Sequence, residues 1–149
     1  MRDFERDLKD RAYKDAEKVL KVFQPFYKQN ISESKVRLWT SPAKRALKTA
    51  FFFNKTLQIP MERFMVRPEL YSSGESGILK ALFWVPDDTE TMIVFTHNPG
   101  ITDFINNWSN KKFKNIPTSG LCVIDFDYPN WKLVVDGEVL LTLFPKNLP

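Results

Sequence analysis

Two basic side chains lie where the sequence predicts that a strand runs into a helix. Arg45 follows Ser41 by four residues, and His97 immediately precedes Asn98. A guanidinium group binds phosphate or carboxylate oxygens in pairs, and the free N–H groups at a helix start also favour anions. Serine and asparagine are both preferred at helix N-caps. We therefore predict one anion-binding site that contains Ser41, Arg45, His97 and Asn98.

Metal and thiol chemistry have little support in this sequence. His97 is the only histidine and Cys122 the only cysteine, which excludes an internal disulfide and the zinc sites built from cysteine and histidine. Cys122 falls in an apolar strand, where a structural role is expected. We predict no metal and no cofactor.

The composition indicates one globular domain. The chain has 149 residues, of which 43% are hydrophobic and 27% charged, and a chain of this size can bury a substantial core. The charged N-terminus and the lack of a long apolar run argue against a signal peptide and a membrane span, so we expect a cytoplasmic protein. The net charge of +4 mildly favours anionic ligands, but no arginine-rich tract points to nucleic acid.

Hydrophobic periodicity predicts alternating helices and strands. Ser41 is predicted to cap the second helix, with Pro42 in its first position and Phe51 on its inner side. The predicted helices cover residues 10–28, 43–55, 75–84 and 99–108, the predicted strands cover 36–40, 62–66, 91–96, 121–126 and 139–144, residues 68–74 form a loop, and 128–131 form a turn.

This alternation predicts a three-layer α/β/α domain with a mostly parallel sheet. Ligands of such sheets bind beyond the carboxyl ends of the strands. The strands before Ser41 and before His97 can therefore bring both junctions to one anion.

Several stretches resemble motifs of the histidine phosphatase superfamily. Residues 41–50 are similar to its Ser-Pro-x-x-Arg-Ala-x-x-Thr-Ala element, and residues 96–100 resemble its second histidine motif. Residues 3–12 are similar to the Asp-x-x-Arg-Pro-Leu-x-x-Arg-Gly stretch of the short bacterial phosphohistidine phosphatases, with Asp7 for the proline and Ala12 for the glycine. Residues 68–71 and 117–120 also look like that branch. The resemblance implies a phosphoglycerate mutase-like fold in which Arg45 and His97 hold the phosphoryl oxygens.

One motif of these enzymes does not occur in this sequence. They begin with a strand ending in Arg-His-Gly, whose histidine accepts the phosphoryl group, and the sequence has no such triplet. The resemblance thus implies covalent phosphoryl transfer through a phosphohistidine, without a metal, by a domain whose opening strand and nucleophile are missing. We expect the chain as printed to be inactive or impaired, with a gap in the sheet where that strand would lie.

The implied substrate is a phosphorylated protein, in particular one carrying phosphohistidine, or a small phosphorylated molecule. Glu69 and Glu75 are the nearest acidic candidates for a proton donor, and neither is distinguished from an ordinary solvated carboxylate. The short loop over residues 72–76, in place of a lid, favours an accessible substrate.

Two alternatives remain open at the level of sequence. A catalytically inactive module could keep Arg45 and His97 as a pocket for phosphate or phosphorylated partners. A general basic interaction domain would instead need a contiguous lysine surface.

The run of three phenylalanines at 51–53 must also place one ring away from the core, where it could contact a partner.

Overall fold

The structure, a computed structural model, describes residues 10–72, 74–127 and 130–149. Its helices are α1 (Asp10–Asn30), α2 (Lys44–Leu57), α3 (Glu69–Ser72), α4 (Gly74–Phe83) and α5 (Gly100–Trp108), and its strands are β1 (Val36–Thr40), β2 (Phe64–Val66), β3 (Thr91–Phe95), β4 (Leu121–Asp125) and β5 (Glu138–Leu143). Most of the motif at 3–12 and the predicted turn at residues 128–129 lie outside the described residues.

The central sheet is parallel, as the alternation of helices and strands predicts. Its strand order is β2-β1-β3, and the register pairs Thr40 of β1 with Val66 on one side and Phe95 on the other. All three strands therefore end at the same edge of the sheet, which is the edge where ligands bind in folds of this type.

Helices cover both faces of this sheet and give the predicted three layers. Successive side chains of a strand point to opposite faces, so Leu38 packs against α1 and α2 while Trp39 packs against α4 and α5. The main buried side chains on the first face are Ala16, Val19, Leu20, Phe23, Tyr27, Ala50, Phe53 and Leu57, and those on the second are Leu70, Ile78, Ala81, Leu82, Phe104 and Ile105.

Strands β4 and β5 form a separate antiparallel pair. Leu121 and Cys122 of β4 nevertheless pack into the same two clusters as Ile93 and Met92 of β3, so the three-stranded sheet and the β4–β5 pair belong to the same layer. Within the described residues, β3 and β4 are not paired with each other. The expected gap in the sheet therefore lies between them.

Helix α2 starts later than predicted. It begins at Lys44, with Ala43 at the N-cap position, so Ser41 is not the cap and Pro42 is not the first helical residue. The prediction for Phe51 is also wrong, because this ring is 47% exposed whereas Phe53 is buried. The inner face of the helix follows Ala50, Phe53 and Leu57, at steps of three and four residues.

Smaller corrections concern β2 and the segment after it. Strand β2 covers only Phe64–Val66 because Met61–Arg63 form a 3-10 turn. Part of the predicted loop at 68–74 is the short helix α3, in which Leu70 is buried. None of the helices in the described ranges is long and apolar enough to cross a membrane.

Candidate phosphoryl-binding site

The two predicted strand-to-helix junctions meet at one edge of the sheet. The main-chain N–H of Ser41 donates to the carbonyl oxygen of Phe95 at 2.8 Å. This bond extends the β1–β3 pairing by one residue beyond the end of β1. On the other strand, Phe95 is the last residue of β3, and Thr96 and His97 follow it directly. The prediction that Ser41 and His97 share an edge is confirmed. That Arg45 and His97 bind one anion remains a prediction.

The buried side chain of Ser41 stabilises the turn at the first junction. Its side chain is fully buried, and its hydroxyl oxygen accepts a hydrogen bond from the N–H of Ala43 at 3.1 Å. The hydroxyl of Thr40 donates to the carbonyl oxygen of Ser41 at 3.0 Å. These bonds fix the turn that leads into α2. A direct contact between Ser41 and phosphate stays a prediction.

Arg45 lies in the first turn of α2 and is half-buried. Its carbonyl oxygen accepts from the hydroxyl of Thr49 at 3.0 Å, a hydrogen bond within the helix that does not involve the guanidinium. In the part of the chain that the structure describes, its guanidinium has no ion-pair partner. An anion bound at the sheet edge would supply the opposite charge that this group lacks.

His97 has one engaged and one unengaged ring nitrogen. Nδ1 lies 3.3 Å from the carbonyl oxygen of Asn98, and the ring edge packs against Tyr71 with centroids 6.0 Å apart and planes at 74°. Nε2 is buried without a hydrogen-bond partner among the described residues. Because buried polar atoms are nearly always hydrogen-bonded, Nε2 is suited to contact an oxygen of a bound ligand.

Asn98 fixes the second junction through its side chain. Its amide donates to the carbonyl oxygen of Ile116 at 2.7 Å, and its Oδ1 accepts from the N–H of Thr102 at 3.3 Å and from the hydroxyl of Thr102 at 2.6 Å. Asn98 thus caps α5, although it lies one residue before Pro99, the N-cap position. A role of Asn98 in binding phosphate remains a prediction.

The segment from Arg67 to Tyr71 bridges the ends of β1 and β3, and most of it falls in the predicted loop at 68–74. The N–H of Arg67 donates to the carbonyl oxygen of Thr40 at 2.9 Å, and the hydroxyl of Thr96 donates to the carbonyl oxygen of Leu70 at 2.8 Å. Helix α3 therefore forms one wall of the site, next to His97.

Arg67 is a basic residue at this edge that sequence reasoning missed. Its guanidinium lies over the ring of Trp39, 4.9 Å from the centroid, and Nη2 donates to a carboxylate oxygen of Glu69. Its Nε is buried without a partner among the described residues. The signal in the sequence was a basic residue at the end of a predicted strand, just before Pro68.

Neither candidate proton donor is placed to donate. Burial alone would raise the pKa of Glu69, but the hydrogen bond and charge of Arg67 lower it below its usual range. The carboxylate of Glu75 accepts from the side-chain amide of Asn107 at 2.9 Å and from the indole of Trp108 at 2.6 Å. Glu69 is therefore ionised at neutral pH, and Glu75 is engaged in joining α4 to α5.

The potential metal ligands and the single cysteine can be located in the described ranges. No group of three or more histidine, cysteine, aspartate or glutamate side chains there could hold a metal ion. Cys122 is half-buried, and burial raises the pKa of its thiol to about 11. Because the thiolate is the reactive form, this raised pKa disfavours a nucleophilic role for Cys122 near neutral pH.

The fold described above is the phosphoglycerate mutase-like fold. The sequence matches no protein-family model and no curated protein. The comparison with solved structures does give matches, and they confirm the fold that the sequence motifs implied.

Three of these matches are structures of SixA proteins. The protein histidine phosphatase SixA complexed with tungstate superposes with a TM-score of 0.75 at 19% identity, covering 98% of this chain and 88% of that one. The SixA phosphohistidine phosphatases from Nakamurella multipartitia and Agrobacterium tumefaciens give TM-scores of 0.70 and 0.73, each at 19% identity, and cover 97% and 96% of this chain and 88% and 86% of their own. At this identity the similarity establishes the fold.

Proposed function

We propose that this chain is a phosphoryl-binding domain of the histidine phosphatase superfamily, which hydrolyses phosphohistidine or another phosphoryl group once a nucleophilic histidine is supplied. The observation that carries the proposal is the hydrogen bond between Ser41 and Phe95, which holds the Arg45 and His97 junctions at one edge of the sheet. One protein of the same fold has been solved in complex with tungstate, which is a tetrahedral oxyanion like phosphate.

In this proposal Arg45 and His97 stabilise charge. A phosphoryl group in transfer carries negative charge on its three equatorial oxygens, and positioned cations lower the barrier by neutralising it. Arg45 has no ion-pair partner in the described residues, and the unengaged Nε2 of His97 is the ring atom that would face an oxygen. Neither group is thus engaged by a described side chain or carbonyl before the substrate arrives.

The covalent step requires a second histidine. Its ring nitrogen attacks phosphorus, a nitrogen–phosphorus bond forms, and the bond to the leaving group breaks. Water then cleaves the phosphohistidine, releasing phosphate and the free imidazole. Because His97 is the only histidine in this sequence, the nucleophile would have to come from another segment.

The acidic residues favour phosphohistidine as the substrate class. A phosphomonoester needs a proton for its leaving oxygen, yet Glu69 has a lowered pKa and Glu75 is held by Asn107 and Trp108. In phosphohistidine the leaving imidazole can carry a proton on its other nitrogen, so the enzyme need not supply one. A phosphorylated protein side chain would also reach a site without a long lid.

The single histidine supports a second candidate function. With Arg45 and His97 present but no nucleophile, the chain could bind phosphate or a phosphorylated protein without turnover. Both candidate functions predict that the chain binds phosphate. They differ in whether adding a nucleophilic histidine makes the chain hydrolyse phosphohistidine.

Isothermal titration with phosphate or vanadate tests the shared part of the proposal. Wild-type protein should bind either anion, and Arg45→Ala should lose most of the affinity. Equal affinity in wild type and Arg45→Ala would remove the basis for both candidates. Hydrolysis of a phosphohistidine peptide, with and without an added Arg-His-Gly strand, then separates the enzyme from the binding module.

A further inference from the structure

A surface groove lies between the end of α4 and the 3-10 turn Trp131–Leu133. Its volume is about 420 Å³, far more than the roughly 30 Å³ that one water molecule occupies, so it has room for more than one side chain. The indole of Trp131 donates to the carbonyl oxygen of Thr89 at 2.8 Å, shortly before β3 begins. The groove therefore lies toward the amino ends of the strands, away from the candidate phosphoryl-binding site.

The walls of the groove are apolar and partly exposed. Phe83 is 48% and Leu133 is 59% exposed. Next to the groove, Trp84 is 64% exposed and packs edge-on against Phe83, with ring centroids 5.5 Å apart. Neighbouring exposed apolar side chains of this kind mark an interaction site. Walls that stay half open to water suit a side chain projecting from another surface better than a small molecule, which is mostly enclosed when bound.

The two tryptophans that line the groove keep their polar atoms inside the protein. The indole N–H of Trp108 donates to the carboxylate of Glu75 at 2.6 Å, and that of Trp131 is bonded to Thr89. No described strand contributes a residue to the groove, so it offers no sheet edge that an extended peptide could join. A helix satisfies its own backbone N–H and C=O groups. An incoming helix therefore fits this groove better than an incoming strand.

The charged residues that line the groove in the described part of the chain are both lysines, Lys80 on α4 and Lys132 on the turn. Nζ of Lys132 lies 5.0 Å from the ring centroid of Phe83, so this ammonium group reaches from the turn to the wall formed by α4. Neither lysine has a carboxylate partner among the described residues. Two cations beside an apolar surface complement a ligand that carries carboxylates next to apolar side chains.

We infer that the groove between α4 and the turn Trp131–Leu133 is a docking site for an acidic amphipathic helix of a partner protein. The apolar face of that helix would enter the groove, and its flanking glutamate or aspartate side chains would pair with Lys80 and Lys132. In this mode of recognition, apolar residues at steps of three and four are the anchors. The inference does not depend on the proposed function, which uses the other edge of the sheet.

Fluorescence anisotropy of labelled helical peptides tests the inference on the wild-type chain. The probe has leucines at steps of three and four residues and glutamates at the flanking positions, and the control has lysine in place of every glutamate. The acidic probe should bind at least about tenfold more tightly than the basic control, and added salt should reduce the difference. Equal binding of both peptides, or no binding of the acidic probe up to about 1 mM, would overturn the inference.

Variants of the groove show where the peptide binds. Leu133→Ser should weaken binding of the acidic probe at least about tenfold, because an apolar wall is lost. Leu140→Ser is the matched control, since Leu140 is 49% exposed on β5 and does not line the groove. Lys80→Glu combined with Lys132→Glu should reverse the preference, so that the basic peptide binds more tightly. A double variant that still prefers the acidic probe would contradict the inference. All four side chains are exposed, so these variants should fold.

Two other occupants of the groove would also overturn the inference. If sedimentation shows that the chain alone is a dimer and that Leu133→Ser dissociates it, a second copy fills the groove. If decanoate binds in a way that depends on Leu133 and Lys132 whereas the acidic peptide does not bind, the groove is a small-molecule site. Phosphate affinity should be unchanged in Leu133→Ser, so a failure of the docking site and a failure of the proposed function are measured separately.

Discussion

Gly74 and Gly100 meet so closely that a Cβ atom on Gly100 would lie 2.9 Å from the carbonyl carbon of Gly74. This contact lets the start of α4 pack against the start of α5, three residues after His97. The close approach therefore sets the position of the helix whose first turn follows the histidine.

Gly100→Ala should lower the free energy of unfolding by about 1–3 kcal/mol, because the added methyl group must displace backbone and not a flexible side chain. Urea denaturation measures the change. Asp103→Ala, at an exposed position of the same helix, is the control and should have a much smaller effect. An equally stable Gly100→Ala protein would show that α4 and α5 are not packed as described.

Asn98→Ala should destabilise the protein by about 1–3 kcal/mol, because the polar groups of Thr102 and Ile116 lose their partner. Thr102 belongs to the same hydrogen-bond network. The destabilisation caused by Thr102→Val should therefore not add fully to that caused by Asn98→Ala, and a double-mutant cycle should show a coupling energy of roughly 0.5–3 kcal/mol. Full additivity would contradict the network. Phosphate affinity, measured at a temperature where the variant is folded, shows whether Asn98 also binds the anion.

Arg45→Ala should weaken phosphate or vanadate binding by about 1.5–3 kcal/mol, the value of a hydrogen bond to a charged group. This corresponds to roughly 10- to 150-fold in the dissociation constant. Arg63→Ala is a matched control, since Arg63 precedes β2 at the opposite edge and donates to the carbonyl of Glu33. Calorimetry should find the control close to wild type. A larger loss for Arg63→Ala would place the anion elsewhere.

The ion pair between Arg67 and Glu69 should stabilise the protein in a pH-dependent way. The pKa of Glu69 is lowered in the folded state, so its contribution is present above its unperturbed value of 4.5 and is lost as the pH falls through the folded pKa. Glu69→Gln should cost on the order of 1 kcal/mol at pH 7, and the difference from wild type should shrink below pH 4.5.

The exposed Glu62 provides the comparison. Chemical denaturation of wild type, Glu69→Gln and Glu62→Gln between pH 3 and 7 checks this prediction. A deficit of Glu69→Gln that grows as the pH falls would contradict a stabilising, ionised Glu69.

The layers of the fold and the shared edge could be predicted from the sequence. The three- and four-residue steps in α1 and the apolar run in β3 identified the elements, and their alternation indicated a parallel sheet. Ser41 and His97 follow adjacent strands, so their meeting at one edge followed from the topology. The absent Arg-His-Gly triplet predicted a gap in the sheet, without placing it beside a particular strand.

Other features depend on contacts between segments distant in the sequence. The prediction that Ser41 caps α2 did not take its burial into account. The buried hydroxyl accepts from the N–H of Ala43, and the helix begins only at Lys44. Helix α3 forms where Thr96 and Thr40 hold its ends against the sheet. The pairing of Arg67 with Glu69 depends on that placement, which local patterns do not encode.

Hydrolysis of a phosphohistidine peptide tests the central claim, that His97 binds the phosphoryl group and does not accept it. The proteins to compare are this chain, a fusion that adds an upstream strand ending in Arg-His-Gly, and His97→Ala in each. The chain alone should bind phosphate without measurable hydrolysis, and the fusion should hydrolyse the peptide through a phosphohistidine on the added strand. Robust hydrolysis by the chain alone, abolished by His97→Ala, would make His97 the nucleophile and contradict the account.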